Sequence, residues 1–207
     1  PDIQPGSDTW GLFIRDVVKD MTQKTGQKCT AIRRIFVPES SLDDVVAAMS
    51  ERLAEIKVGN PADKGIHMGP VATARQFADV NEGIAQLNAE TEEGYGGANT
   101  CTPVGVPEGK GYFIGPVLRI SRDAHKAKFL NSQEVFGPVS TVASYSGDAA
   151  EAAALVQLGR GGLVTSVYSD DRDYYGKIIP EIAPFHGRIY MGSAKIAEQS
   201  MGPGTVM

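Results

Sequence analysis

The sequence predicts an α/β fold with a largely parallel sheet. Strand-like apolar runs alternate with helix-like segments through the second half of the chain, and this alternation is typical of parallel strands joined by helices. The 207 residues are 42% hydrophobic, which suffices for one globular domain with a sizeable core.

Hydrophobic spacing predicts three helices and one strand in the first half of the chain. Ser7 or Asp8 can cap a helix whose apolar residues recur every three or four positions, and Gly26 is suited to end it. Pro38 closes a short apolar run that is typical of a strand. The expected elements are helices over residues 8–26, 42–56 and 72–87 and a strand over residues 32–37.

The second half is expected to contain four strands and two helices. Residues 91–111 are rich in Gly and Pro, which indicates a loop or a short hairpin. Asp148 can cap one helix, and Pro184 stops the other. The expected strands cover residues 111–120 (broken by Gly115-Pro116), 139–145, 163–168 and 187–191, and the expected helices cover residues 148–158 and 170–182.

Charge and composition argue against several classes of function. The net charge is −5 and the basic residues are scattered, so we expect no nucleic-acid partner. No apolar run is long enough to cross a bilayer and no signal peptide is visible, so we expect no membrane partner. Two cysteines do not make a disulfide framework, which favours a reduced, cytoplasmic setting. The three histidines are far apart in sequence, and their spacing predicts no metal site.

Cys29 lies between a glycine turn and a predicted strand. Lys28, Arg33 and Arg34 are close in sequence, and nearby cations lower the pKa of a thiol and so favour the reactive thiolate. The local pattern alone nevertheless favours a small cysteine packed under a strand. The second cysteine, Cys101, is in a Gly- and Thr-rich loop and is expected to be a bystander.

Two motifs in the same order resemble the aldehyde dehydrogenase superfamily. Residues 26–34, GQKCTAIRR, resemble its active-site segment, Gly-Gln-x-Cys-x-Ala-x-x-Arg, which lies between a helix and a strand. Residues 133–139, QEVFGPV, resemble its Glu-x-Phe-Gly-Pro-Val segment. Weaker matches in VGNPADKGIHMGPV, GYFIGPVL and LVTSVYSDD keep the family's order, so the resemblance covers most of the chain. It implies a three-layer αβα catalytic domain.

The resemblance also implies roles for three residues. Cys29 would be the nucleophile that attacks an aldehyde carbon. Glu134 would accept hydrogen bonds from the hydroxyls of the nicotinamide ribose, since a carboxylate can accept from two neighbouring donors. Phe136 would form an apolar wall beside the nicotinamide.

The string MTQKTGQKCTAIRRIFVPE resembles a branch of the family that acts on coenzyme-A-linked semialdehydes in aerobic benzoate and phenylacetate breakdown. This likeness implies NADP as the cofactor, with NAD possible, and a small-molecule aldehyde that is oxidised to the acid. The family is usually dimeric or tetrameric, and a homodimer is expected.

Some of the family's functional parts are not expected in residues 1–207. The dinucleotide-binding domain, the general-base Glu and the oxyanion Asn would precede Pro1, so we expect a catalytic-domain piece that is inactive alone. Many members also have Asn near the end of the last strand, where this chain has Met191 and Gly192. Two alternatives stay open: an aldehyde dehydrogenase that releases its product to coenzyme A, and a non-catalytic structural or oligomerising module.

Overall fold

Six α-helices and six strands occur within residues 2–98, 100–199 and 202–203, the part of the chain that the computed structural model describes. The helices are α1 (Asp8–Thr22), α2 (Leu42–Ala54), α3 (Ala74–Asn88), α4 (Lys128–Ser132), α5 (Ala149–Leu158) and α6 (Arg172–Ile182). The strands are β1 (Arg34–Pro38), β2 (Glu92–Tyr95), β3 (Val117–Ser121), β4 (Val139–Tyr145), β5 (Gly162–Tyr168) and β6 (His186–Gly192).

The strands pair mainly in parallel, which confirms the predicted fold class. Four of them form a sheet in the order β1-β4-β3-β2, in which β1, β4 and β3 are parallel and β2 is antiparallel to β3. The other two, β5 and β6, form a separate parallel pair. The strands of the described residues are therefore divided between two sheets.

Helices cover both faces of the four-stranded sheet, as the three-layer prediction requires. Alternate residues of β3 enter different cores: Val117 packs with α3 and α5, whereas Leu118 and Ile120 pack with α1 and α2. This alternation follows from the two-residue period of a strand, and it explains why β3 is buried along its whole length.

Three local predictions are wrong or incomplete. The strand expected over residues 111–120 begins only at Val117, because Gly111 has a φ of 80° and Pro116 has no N–H to donate to a ladder. The segment expected as a loop or hairpin contributes β2, which pairs with β3. The short helix α4 precedes β4, and the sequence pattern did not predict it.

Helix α1 ends four residues before Gly26. Its start agrees with the prediction, since the Ser7 side chain accepts a hydrogen bond from the Trp10 N–H. The backbone leaves the helical conformation at Gln23, whose ψ is 132°, and Lys24 and Thr25 follow with φ values of 55° and 56° that no right-handed helix adopts. None of the helices among the described residues has the length and apolar character that crossing a membrane would require.

Candidate functional site

The two sequence motifs lie at neighbouring strand ends. The Cys29 segment leads into β1 and the Glu134–Phe136 segment leads into β4, and these strands pair in parallel with Arg34 opposite Thr141. Parallel partners begin at the same edge of a sheet, so the two segments are brought together despite the long stretch of chain between them.

The turn before Cys29 has an unusual backbone. Lys24, Thr25 and Gly26 all have positive φ values, and for a β-branched threonine this conformation is a rare outlier. The Thr25 hydroxyl donates a hydrogen bond of 3.0 Å to the Gly69 carbonyl, which helps to hold the turn. Backbone strain of this kind occurs at functional sites, and here it directly precedes an exposed Cys29.

Gly26 allows this turn to touch the loop before β4, and Gly137 in that loop lies against α3. A Cβ atom on Gly26 would lie 2.6 Å from the Pro138 backbone nitrogen and closer still to the Gly137 carbonyl. A Cβ atom on Gly137 would lie 2.7 Å from methyl carbons of Val80. A side chain at Gly26 would overlap backbone atoms and push the turn away from the loop, whereas one at Gly137 would require the Val80 side chain to shift.

Gln27 ties the turn to two other segments. Its side-chain amide donates to the Phe136 carbonyl at 3.3 Å, and its side-chain oxygen accepts from the Ala72 N–H at 2.9 Å. In the sequence, Gln27 stands out only as a match to the family motif. In the structure, Gln27 forms hydrogen bonds at the junction, the place where the Cys29 turn (residues 24–29) meets the loop before β4 (residues 134–138).

Arg33 lies at the centre of the junction. Its guanidinium donates to Glu134 Oε1 at 3.0 Å, to the Gly137 carbonyl at 2.6 Å and to the Gly26 carbonyl at 2.7 Å. It also lies over the Phe136 ring, 5.3 Å from the ring centroid. Burial lowers the pKa of Arg33 below its ordinary value, and Glu134 opposes that shift. The guanidinium remains charged at neutral pH.

Sequence proximity did not predict the contacts of the cations around Cys29. The ammonium of Lys28 pairs with Asp20 Oδ1 at 2.6 Å and with Gln23 Oε1 at 3.0 Å. The guanidinium of Arg34 donates to Asn131 and to carbonyls at the C-terminal end of α5. Together with Arg33, these cations bind carboxylate, amide and carbonyl oxygens and join structural elements to one another.

The side chains of Glu134 and Phe136 are partly exposed to solvent at the junction. The Glu134 side chain is 54% exposed, and the bond from Arg33 occupies only Oε1. Phe136 is 38% exposed, so part of its ring is accessible. An exposed carboxylate oxygen and part of an aromatic ring are therefore accessible side by side at this strand end.

One cavity connects the candidate residues with the gap between the two sheets. Its volume is about 570 Å³, and its lining includes Cys29, Glu134 and Phe136 together with residues of β1 and β5. Sites for small molecules and cofactors are commonly concavities of this size, lined by apolar surface with a few polar groups.

Other candidate groups do not join this site. Burial raises the pKa of the Cys101 thiol, which disfavours the reactive thiolate at that position. Asp171, from the acidic cluster 170–173, caps α6 by accepting from the Asp173 N–H. Within residues 2–98, 100–199 and 202–203, no group of three His, Cys, Asp or Glu side chains could hold a metal ion.

Known proteins resemble the chain in sequence and in structure. The 3,4-dehydroadipyl-CoA semialdehyde dehydrogenase of Aromatoleum evansii is 40% identical over the whole chain, which spans 40% of that protein. A putative aldehyde dehydrogenase of Staphylococcus epidermidis is 35% identical over 75% of the chain and 31% of its own length. The chain is therefore less than half as long as these curated relatives.

A solved structure shows the same fold. A betaine aldehyde dehydrogenase variant from Staphylococcus aureus, in complex with NAD+ and with a BME-modified cysteine, superposes with a TM-score of 0.75 at 25% identity. The match covers 88% of this chain and 36% of the other. The model of the aldehyde dehydrogenase family matches residues 9–203, and the prediction made from the two motifs is confirmed: the chain belongs to the aldehyde dehydrogenase family.

Proposed function

We propose that this chain carries the thiol and the nicotinamide-facing part of an aldehyde dehydrogenase active site. One observation carries the proposal: hydrogen bonds and a glycine contact join the Cys29 turn to the Glu134–Phe136 loop at the edge where β1 and β4 begin. The two segments line one cavity. A nucleophile, a ribose-binding carboxylate and an aromatic wall are therefore available in one place.

The chemistry begins at Cys29. Its thiolate adds to the aldehyde carbon and forms a thiohemiacetal, while the Cys29 N–H donates to the oxygen on which negative charge develops. A nicotinamide held by Glu134 and Phe136 would supply the acceptor for the hydride that leaves this carbon. Cys29 then holds the acyl group as a thioester, and water releases it as the carboxylic acid.

Glu134 and Phe136 orient the nicotinamide end of the cofactor. We assign Glu134 Oε2 to the ribose hydroxyls, because Oε1 already accepts from Arg33. The exposed Phe136 ring forms the apolar wall beside the nicotinamide. NADP is the proposed cofactor and NAD the alternative, since the likeness to the coenzyme-A-linked branch favours NADP.

The proposed substrate is a semialdehyde linked to coenzyme A, from the breakdown of an aromatic compound. The support is the 40% identity to a relative named for 3,4-dehydroadipyl-CoA semialdehyde. We further propose that the working enzyme is a cytoplasmic homodimer. Its dinucleotide-binding domain, general base and oxyanion Asn would lie outside these 207 residues, so the chain alone should not oxidise aldehydes.

Selective alkylation tests the thiol assignment. The chain is treated with iodoacetamide at neutral pH, and the two cysteines are followed by peptide mass spectrometry. We expect Cys29 to react faster than Cys101, because Cys29 is exposed and burial raises the pKa of Cys101. Equal and slow labelling of both would contradict the proposal and favour a non-catalytic module.

Product analysis tests the reaction in the full-length polypeptide. With a coenzyme-A-linked semialdehyde and NADP, we expect the free acid as product and loss of activity in Cys29→Ser, with Cys101→Ser as the matched control. A product that forms only when free coenzyme A is added would instead establish the acylating alternative.

A further inference from the structure

Arg33 contacts both the nucleophile turn and the proposed cofactor loop, beside the separate bond from Gln27 to the Phe136 carbonyl. Its three guanidinium nitrogens donate to three different acceptors, namely the Glu134 carboxylate and the carbonyls of Gly26 and Gly137. The Arg33 side chain is only 15% exposed, so these hydrogen bonds form in a partly desolvated position. Charge-assisted bonds are stronger there than at an open surface.

The Arg33 guanidinium is held by more contacts than the Glu134 carboxylate with which it pairs. The guanidinium is immobilised by two backbone carbonyls and by the face of the Phe136 ring. The Glu134 side chain is 54% exposed and would otherwise sample several rotamers. A fixed donor on Oε1 therefore selects the orientation of the carboxylate and leaves Oε2 available.

We propose that Arg33 is a positioning residue that holds the Glu134 carboxylate and the Phe136 ring in the orientation that receives the nicotinamide ribose. This inference rests on the proposed function, in which Glu134 binds the ribose. Arg33 acts through Glu134 and takes no part in bond making or breaking at Cys29. Its loss should weaken cofactor binding because an unfixed carboxylate must be ordered when the ribose arrives.

The test measures the Kd of NADPH by its own fluorescence in the full-length polypeptide. We expect Arg33→Ala to raise the Kd about tenfold, as expected for the loss of one charge-assisted hydrogen bond. Arg33→Lys keeps the charge but lacks the fork of donors, so an intermediate Kd is expected. In the double variant with Glu134→Ala, the Arg33 effect should fall well below tenfold, because one of the two groups that Arg33 holds is gone.

Arg119→Ala is the matched control. Arg119 is also buried, but it donates hydrogen bonds to Thr91, which precedes β2, and pairs with Glu93 within β2. This variant should lose stability and keep its Kd for NADPH, which separates positioning from a general loss of folding.

The outcomes separate this inference from the proposed function. If Glu134→Ala weakens binding but Arg33→Ala leaves the Kd unchanged or lower, the positioning role is wrong while the ribose assignment stands. Full additivity of the two substitutions in the double variant would also overturn the positioning role. If Glu134→Ala itself leaves the Kd unchanged, both the inference and the ribose assignment are refuted.

Discussion

Replacing Gly26 by alanine tests how the thiol turn is held against the loop before β4. Gly26 has a φ of 68°, and a Cβ atom there would overlap the Gly137 carbonyl and lie 2.6 Å from the Pro138 nitrogen. These neighbours are backbone atoms that cannot rotate away. The variant must therefore separate the turn from the loop.

The expected cost has two parts. An alanine in the left-handed conformation loses about 1 kcal/mol relative to glycine. Separating the segments also breaks the hydrogen bonds from Arg33 to the Gly26 and Gly137 carbonyls, each of which contributes about 1.5 kcal/mol. We therefore expect the free energy of unfolding to fall by about 4 kcal/mol.

The assay is urea unfolding of the chain followed by the fluorescence of Trp10, its single and buried tryptophan. Gly65→Ala is the matched control, since Gly65 has a φ of 84° and no atom within 4 Å of an added Cβ. The control should lose only about 1 kcal/mol. If Gly26→Ala costs no more than Gly65→Ala, the close approach is not the reason for glycine at this position.

Three further substitutions test other parts of the fold. Arg34→Ala removes hydrogen bonds to Asn131 and to carbonyls at the end of α5, so the free energy of unfolding in urea should fall by about 3 kcal/mol. The control is Arg52→Ala at an exposed position, and it should lower that free energy by less than about 0.5 kcal/mol. Tyr145→Phe removes one hydroxyl from the buried pair with Tyr174 and should cost about 1.5 kcal/mol, and a cost near zero would show that the pair is not formed. Burial raises the pKa of Asp16 in the folded chain above the ordinary value of 3.8. The folded chain therefore binds this proton more tightly than the unfolded chain does. The free energy of unfolding should fall as pH rises from 3.8 through the raised pKa of the folded chain. Asp16→Asn should abolish that part of the pH dependence in thermal unfolding measured across acidic pH, and an unchanged profile would assign it to other groups.

Sequence patterns predicted more of the fold than of the site's internal contacts. Helical spacing and capping residues located α2, α3, α5 and α6 to within a few residues, because α2, α3 and α6 bury one regular apolar face and Asp148 caps α5. The end of α1 was placed four residues too late, since nothing in the pattern indicates that Lys24 and Thr25 adopt positive φ values. That conformation is imposed by contacts with distant segments, such as the bond from Thr25 to Gly69.

At the site, too, local patterns identified residues but not their contacts. Motif spacing identified Cys29, Glu134 and Phe136 as candidates, and their catalytic and cofactor-binding roles stay predictions. Sequence proximity suggested that Lys28, Arg33 and Arg34 act on the thiol. The charged ends of these side chains contact carboxylate, amide and carbonyl oxygens contributed by other parts of the fold.

The sequence by itself determined the fold class, the family and the residue types available for chemistry, because periodicity and short motifs are local properties of the chain. Tertiary structure alone decided that the two motifs meet, since this depends on the parallel pairing of β1 with β4 across more than a hundred residues. It also decided that Arg33 connects them. A side chain's partners depend on which strand ends share an edge, and no local pattern encodes that.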